Sequence, residues 1–103
     1  MDLNILAIGR DLAILQVVER LINSHERWTA TIVTSEEDAM AAFTKTNFRI
    51  VFVCAGISAP EEETLRQRLQ GLNPEVVVTR HYGGGSGLLE NEVLSIINKQ
   101  YGK

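Results

Sequence analysis

A nearly continuous apolar run from Phe48 to Cys54 constrains the fold of this chain more than any other segment. It reads FRIVFVC and, apart from Arg49, does not alternate with polar residues. A strand of this kind is buried on both faces, which is typical of the centre of a parallel sheet. Helices cover such sheets on both sides, so the run predicts an α/β protein.

The rest of the chain fits this prediction, because short apolar runs alternate with segments of helical periodicity. From Leu12 to Ile22 the apolar residues recur at spacings of three and four, which leaves Asn23 on the outward side. The predicted strands are Leu3–Ile8, Trp28–Val33, Phe48–Cys54 and Glu75–Thr79, and the predicted helices begin at the caps Asp11, Ser35 and Ser58 or carry the apolar residues from Leu88 to Ile97. This β-α alternation predicts a parallel sheet, in which ligand sites lie at the carboxyl ends of the strands.

Composition narrows the classes of partner. Ten basic and thirteen acidic residues give a net charge of −3, which argues against binding of nucleic acid through a broad basic surface. The single cysteine cannot form an internal disulfide, and no apolar run approaches the ~18 residues of a membrane span. We therefore expect a cytoplasmic protein of one domain, residues 1–103, with neither a nucleic-acid nor a membrane partner.

From Asn4 to about Arg80 the chain resembles the receiver domain of response regulators in two-component signalling. Asn4 to Asp11 is similar to the family's first strand with its acidic end, Phe48 to Cys54 to the strand that carries the phosphoacceptor aspartate, and Pro74 to Thr79 to the fourth strand with its terminal Thr or Ser. The resemblance implies a flavodoxin-like three-layer α/β/α fold with the strand order 2-1-3-4. A fifth strand would be missing or reduced to a stub at Leu88-Leu89.

The residues that perform receiver chemistry are mostly replaced. The resemblance implies two acidic residues that hold Mg²⁺, an acceptor aspartate, a Thr or Ser, and a Lys. This chain has Gly9 and Arg10 in place of the acid pair, with Asp11 beside them, Cys54 at the acceptor position, and Thr79 at the Thr position. No lysine occurs between residues 45 and 99. We therefore expect a degenerate, truncated pseudo-receiver that binds no cofactor and is not an enzyme.

Cys54 has two interpretations. As a nucleophilic or redox thiol, with Arg10 stabilising its thiolate, it would define a small thiol enzyme or redox sensor. As a small apolar residue that closes a core strand, it would be inert. The second interpretation is favoured, because the chain has no other cysteine to resolve an oxidised one.

Other candidate sites also have a simpler alternative. Arg10 and Asp11 form either an ion site at the strand ends or a solvated arginine beside an N-cap. A glycine-rich segment precedes the last helix, where backbone N–H groups can bind an anion, but it lacks the Walker pattern, so a flexible loop is favoured. Its residues are Gly83, Gly84, Gly85 and Ser86. His25 and His81 are expected at opposite edges of the sheet, which predicts no shared metal site.

The fourth strand is the expected interface. Without a fifth strand, Val76, Val77 and Val78 would lie at an open edge, and open β-branched edges recruit another chain. The leading hypothesis is therefore a receiver-like interaction module that binds a protein partner or forms a homodimer. The alternatives are a thiol enzyme or redox sensor using Cys54, and a binder of a small anionic ligand at the carboxyl ends of the strands.

Overall fold

The computed structural model describes residues 2–81 and 86–100, without the side chains of residues 86–89 and 100. Strands and helices alternate throughout these ranges. They are β1 Leu3–Ile8, α1 Leu12–Asn23, β2 Trp28–Val33, α2 Glu36–Lys45, β3 Ile50–Val53, α3 Ala59–Leu72, β4 Val77–Arg80 and α4 Ser86–Gln100. None of the helices in these ranges is long and apolar enough to cross a membrane.

The four strands form one parallel sheet in the order β2-β1-β3-β4. Ile8 at the end of β1 is in register with Val33 of β2 and Val53 of β3, and Val53 is in register with Arg80 of β4. The carboxyl ends of all four strands therefore share one edge. The structure confirms the predicted α/β fold and the predicted strand order.

The sheet separates two apolar cores, because successive side chains along a strand point to opposite faces. On one face, Ile5 and Phe52 pack among residues of α1 and α4. On the other, Leu6 and Val51 pack among residues of α2 and α3. Every residue of β3 is buried, which confirms that the apolar run forms a central strand.

The first three helices start where the sequence predicts, whereas α4 begins at Ser86, which was assigned to the glycine-rich segment before it. Asp11 and Ser35 each accept a hydrogen bond from the backbone N–H three residues further on. Ser58 and Glu61 form both halves of a capping box, with hydrogen bonds of 3.2 and 2.9 Å. Each cap satisfies a backbone donor that the first turn of a helix leaves without a partner.

The bounds of β3 and β4 differ from the prediction, and β3 is shorter, Ile50–Val53 instead of Phe48–Cys54. β4 begins at Val77 instead of Glu75, because Asn73 holds a turn there: its Oδ1 atom accepts from the N–H of Glu75, and its carbonyl accepts from that of Val76. Of the two alternatives for a fifth strand, missing or reduced to a stub, the stub at Leu88-Leu89 is excluded, since both residues lie in α4. The helical spacing of Leu89, Val93 and Ile96 explains this.

Candidate functional site

The ends of β1 and β3 meet closely at the carboxyl edge of the sheet. The N–H of Cys54 donates to the carbonyl of Ile8 at 2.7 Å, and the N–H of Arg10 donates to the carbonyl of Ala55 at 2.9 Å. A Cβ atom on Gly9 would lie 3.1 Å from the Cβ of Cys54, which is tight for a side chain. Glycine at this position therefore lets the two strand ends close on each other.

Arg10 crosses from β1 to the start of α3. Its Nη2 atom lies 2.5 Å from the carboxylate of Glu61, with both side chains about half exposed. The stem of Arg10 passes over Gly56, which has φ +95° and where an added Cβ would lie only 2.5 Å from the Cβ of Arg10. Hydrogen bonds from Ser58, and then from Arg10, hold the pKa of Glu61 below its ordinary value. A cation therefore occupies the place where the resemblance implies the acid pair.

Asp11 acts as a helix cap in this structure. Its Oδ1 atom accepts from the backbone N–H of Ile14 at 3.2 Å, so the carboxylate is used at the N-terminus of α1. Asp11 carries the only acidic side chain among residues 9–11, and this engagement confirms its predicted capping role.

Cys54 is a core residue. Its side chain is 1% exposed, and its Sγ atom lies 4.0 Å from the carbonyl oxygen of Phe52. Burial raises the pKa of this thiol to about 11, although the charge of Arg80 acts in the opposite direction. A reactive thiol needs a lowered pKa and access to solvent, and Cys54 has neither. Arg10, the expected stabiliser of a thiolate, is paired with Glu61 instead.

Thr79 lies in β4 on the face that carries α4. It lines an open cavity of about 330 Å³ together with the helix residues Asn91, Glu92, Ser95 and Ile96. The structure therefore places Thr79 against α4, in a cavity that neither Arg10 nor Cys54 lines. Most of the exposed cavity wall is apolar, and Glu92 carries the only charge among the described residues that line it.

Both histidines pair with glutamates of α4, a relationship that the sequence analysis missed. His81 is buried, and its Nδ1 atom lies 2.7 Å from Oε1 of Glu92. His25 stacks on Trp28 and its Nε2 atom lies 2.9 Å from Glu90. No pattern in the sequence pairs the two glutamates with histidines that lie 65 and 11 residues away.

A second network, also missed, joins α3 to β4. Glu62 accepts from Arg66 at 2.8 Å and from Arg80 at 2.7 Å. Arg66 also donates to the carbonyl of Val78 at 3.0 Å, and Arg80 to that of Ile57 at 2.6 Å. The acidic run at residues 61–63 is the visible signal of this network in the sequence.

The predicted interface residues at the fourth strand lie partly in the core. The side chains of Val76 and Val78 are buried in the core between the sheet and α3, and Val77 between them is half-buried.

Gly83, Gly84 and Gly85 lie outside the described residues and Ser86 begins α4, so the anion-binding loop stays a prediction. Within residues 2–81 and 90–99, no group of three His, Cys, Asp or Glu side chains is placed to hold a metal ion.

This order of elements and this strand order define a receiver-like, flavodoxin-type α/β fold. A solved structure with a similar fold is the non-phosphorylated receiver domain of the stress response regulator RcsB from Escherichia coli. The TM-score is 0.62 at 11% identity, and the alignment covers 93% of this chain and 76% of that one. No protein-family model and no curated protein sequence matches the chain. The similarity thus lies in the fold.

Proposed function

We propose that this chain is a receiver-like signalling module that carries no aspartyl phosphate and acts by binding a protein partner in the cytoplasm. The observation that carries the proposal is the bridge from Arg10 to Glu61 across the ends of β1 and β3. In the resembled family, this edge collects carboxylates that bind Mg²⁺, and such a site needs several oxygen ligands. Here a guanidinium and a buried thiol stand at the positions of the acid pair and the acceptor, and the carboxylates of Asp11 and Glu61 are engaged in a helix cap and an ion pair.

The burial of Cys54 argues against the alternative of a thiol enzyme or redox sensor. A thiol with a pKa of about 11 is almost fully protonated at neutral pH, and the thiolate is the nucleophilic form. The proposal therefore assigns Cys54 to the core and gives it no part in catalysis.

Phosphodonor treatment tests the proposal directly. We expect acetyl phosphate with Mg²⁺ to leave the intact mass unchanged, and beryllofluoride with Mg²⁺ to leave the amide resonances of Arg10, Cys54 and Thr79 in place. A receiver domain that retains its acceptor aspartate serves as the positive control in the same reaction. A saturable, Mg²⁺-dependent shift at Cys54 or a mass increase of one phosphoryl group would contradict the proposal.

The edge formed by β4, with α4 beside it, is the surface that we propose for the partner. Among the described residues no strand lies beyond β4, and an exposed strand edge is a template for pairing. A homodimer through this edge is the alternative arrangement. Sedimentation equilibrium at high micromolar concentration distinguishes a homodimer from a monomer that awaits a different partner. If a homodimer forms, Val77→Lys should weaken it more than the control Thr29→Lys, which lies on the exposed face of the opposite edge strand.

A further inference from the structure

The outer edge of β4 presents specific backbone groups. The N–H of Val77 donates to Arg49 and the N–H of His81 to Val53, both on the β3 side. Because backbone groups alternate along a strand, those of Val78 and Arg80 point away from β3. The carbonyl of Val78 accepts from Nη2 of Arg66 at 3.0 Å. The outward carbonyl of Val78 is therefore covered by the guanidinium of Arg66, which also binds Glu62 and Glu63.

The cavity beside this edge offers one carboxylate to a cation. Its wall is mostly apolar, Thr79, Asn91 and Ser95 are among the residues that line it, and Glu92 contributes the carboxylate. Oε1 of Glu92 is bonded to His81, while Oε2 makes no hydrogen bond within residues 2–81 and 90–99. A carboxylate with one oxygen held in place by a buried histidine is pre-oriented for a charge-assisted hydrogen bond through the other.

We propose that the outer edge of β4 and the cavity beside α4 together bind an extended segment of a protein partner, which pairs with Val78 and places a Lys or Arg side chain against Glu92. This inference rests on the proposed function, namely that the chain binds a protein. Strand addition supplies main-chain hydrogen bonds for affinity, and pockets beside the edge select alternate side chains. The cavity lies on one face of β4, so only the side chains on that face of the partner segment, every second residue, can reach it.

Charge decides between a partner segment and a second copy of this chain. A second β4 added antiparallel would bring Val77 and Thr79 to the face that carries α4, and neither is a cation. Its Arg80 would point to the opposite face, where Glu62 and the carbonyl of Ile57 already hold it. A segment with basic residues on one face fits Glu92, and a second β4 does not.

Arg66 acts as a guard on this edge. An incoming strand must displace the guanidinium from the Val78 carbonyl, while Glu62 and Glu63 remain available to hold it. Charged side chains that cover an edge are a common way to prevent unwanted pairing. Removing the guanidinium of Arg66 is therefore expected to strengthen binding of the partner segment, whereas removing the charge on Glu92 is expected to weaken it.

The test is a titration of ¹⁵N-labelled protein with two synthetic peptides. One is an acetylated seven-residue peptide that alternates Val and Lys, and the other has Glu in place of Lys. We expect the Lys peptide to shift the amide resonances of Val78, Arg80 and Glu92. Glu92→Gln should weaken this binding about tenfold, the equivalent of ~1.4 kcal/mol, and Arg66→Gln should strengthen it. Glu90→Gln, which removes the charge of the other histidine-paired glutamate, is the matched control and should leave it unchanged.

Three results would overturn the inference. The first is no shift at Val78 and Glu92 with the Lys peptide, in both the wild-type protein and Arg66→Gln. The second is equal affinity for the Glu peptide, which would exclude recognition of a cation. The third is a concentration-dependent shift at Val78 without peptide, which would identify a second copy as the occupant. None of these results affects the phosphodonor test, so the two proposals fail separately.

Discussion

The Oδ1 atom of Asn23 accepts a hydrogen bond of 2.9 Å from the backbone N–H of Ala30. Asn23 ends α1, and Ala30 lies in β2, an edge strand whose outward N–H groups face away from β1. At the other edge, Arg66 of α3 covers the carbonyl of Val78 in β4. Each edge strand is therefore capped in part by a side chain of the helix that precedes it, which limits pairing with other chains.

Asn23→Ala is expected to destabilise the fold by ~1–2 kcal/mol, because a partly buried backbone donor loses its acceptor. Urea denaturation gives the free energy of unfolding, and hydrogen exchange should accelerate at Ala30. Gln16→Ala, on the exposed side of the same helix, is the control and should change stability little. Equal stability of the two variants would show that solvent replaces the Asn23 contact at no cost.

The fold could be predicted because its signals are local and periodic. The FRIVFVC run, the spacing of Leu15, Val18 and Ile22, and the cap at Ser58 each specify their element without reference to distant residues. The periodic pattern predicted less accurately which apolar residues of α1 are exposed to solvent. Ile14 and Val17 belong to the same apolar pattern but are 39% and 47% exposed, because the pattern covers a wider arc of α1 than the sheet and α4 do.

The candidate site was only partly predictable, because its contacts join residues that are distant in sequence. Arg10 and Glu61 are 51 residues apart, and a capping box at Ser58 gave no reason to expect that Glu61 would also bind an arginine. Asn23 illustrates the same limit: it was assigned to the outward side of α1, and its contact depends on how β2 returns beside that helix. Long-range polar partners follow from packing, which a pattern in one segment does not encode.

The network around Glu62 makes stability depend on pH. Burial acts to raise the pKa of Glu62, but hydrogen bonds from Arg80 and Arg66 outweigh it and the pKa lies below its ordinary value. The stabilisation is therefore present above the ordinary pKa of glutamate and is lost as the pH falls through the lowered value. We expect Glu62→Gln to cost ~1–3 kcal/mol at pH 7 and progressively less below about pH 4.3.

Glu26→Gln is the control for the Glu62 experiment, since Glu26 is exposed in the turn before β2. The free energy of unfolding of Glu26→Gln should differ little from that of the wild type at every pH. A loss in Glu62→Gln that stays constant down to pH 3 would mean that the network acts through packing of the arginine stems and not through the charge of the carboxylate.

Cys54 should react slowly in the native protein. With 1% exposure and a pKa raised by burial to about 11, the thiol is both inaccessible and protonated at neutral pH. Labelling with a thiol reagent should be slow in native buffer and fast in denaturant. Cys54→Ser should cost ~1–3 kcal/mol, because a hydroxyl in this apolar position lacks good partners. Rapid labelling under native conditions would reopen the interpretation of Cys54 as a reactive thiol.

Two glycine-to-alanine substitutions should change the stability of the fold in opposite directions. Gly56 has φ +95°, and an added Cβ would lie 2.5 Å from the Cβ and 2.7 Å from the Cγ of Arg10, so Gly56→Ala should destabilise by ~1–3 kcal/mol through backbone strain and steric overlap. Gly71 lies in α3 with no atom within 4 Å of an added Cβ. Gly71→Ala should therefore stabilise by ~0.5–1 kcal/mol through a lower loss of backbone entropy.

The steric part of the Gly56 penalty is separable from the backbone part. Arg10→Gly removes the Cβ and Cγ atoms that an alanine at 56 would meet, so the double variant should lose less stability than the sum of the two single changes. Free energies of unfolding for the four proteins of this cycle measure the difference. Additive penalties would mean that the positive φ of Gly56 accounts for the whole cost, and that the Arg10 stem moves aside freely when a side chain is placed beneath it.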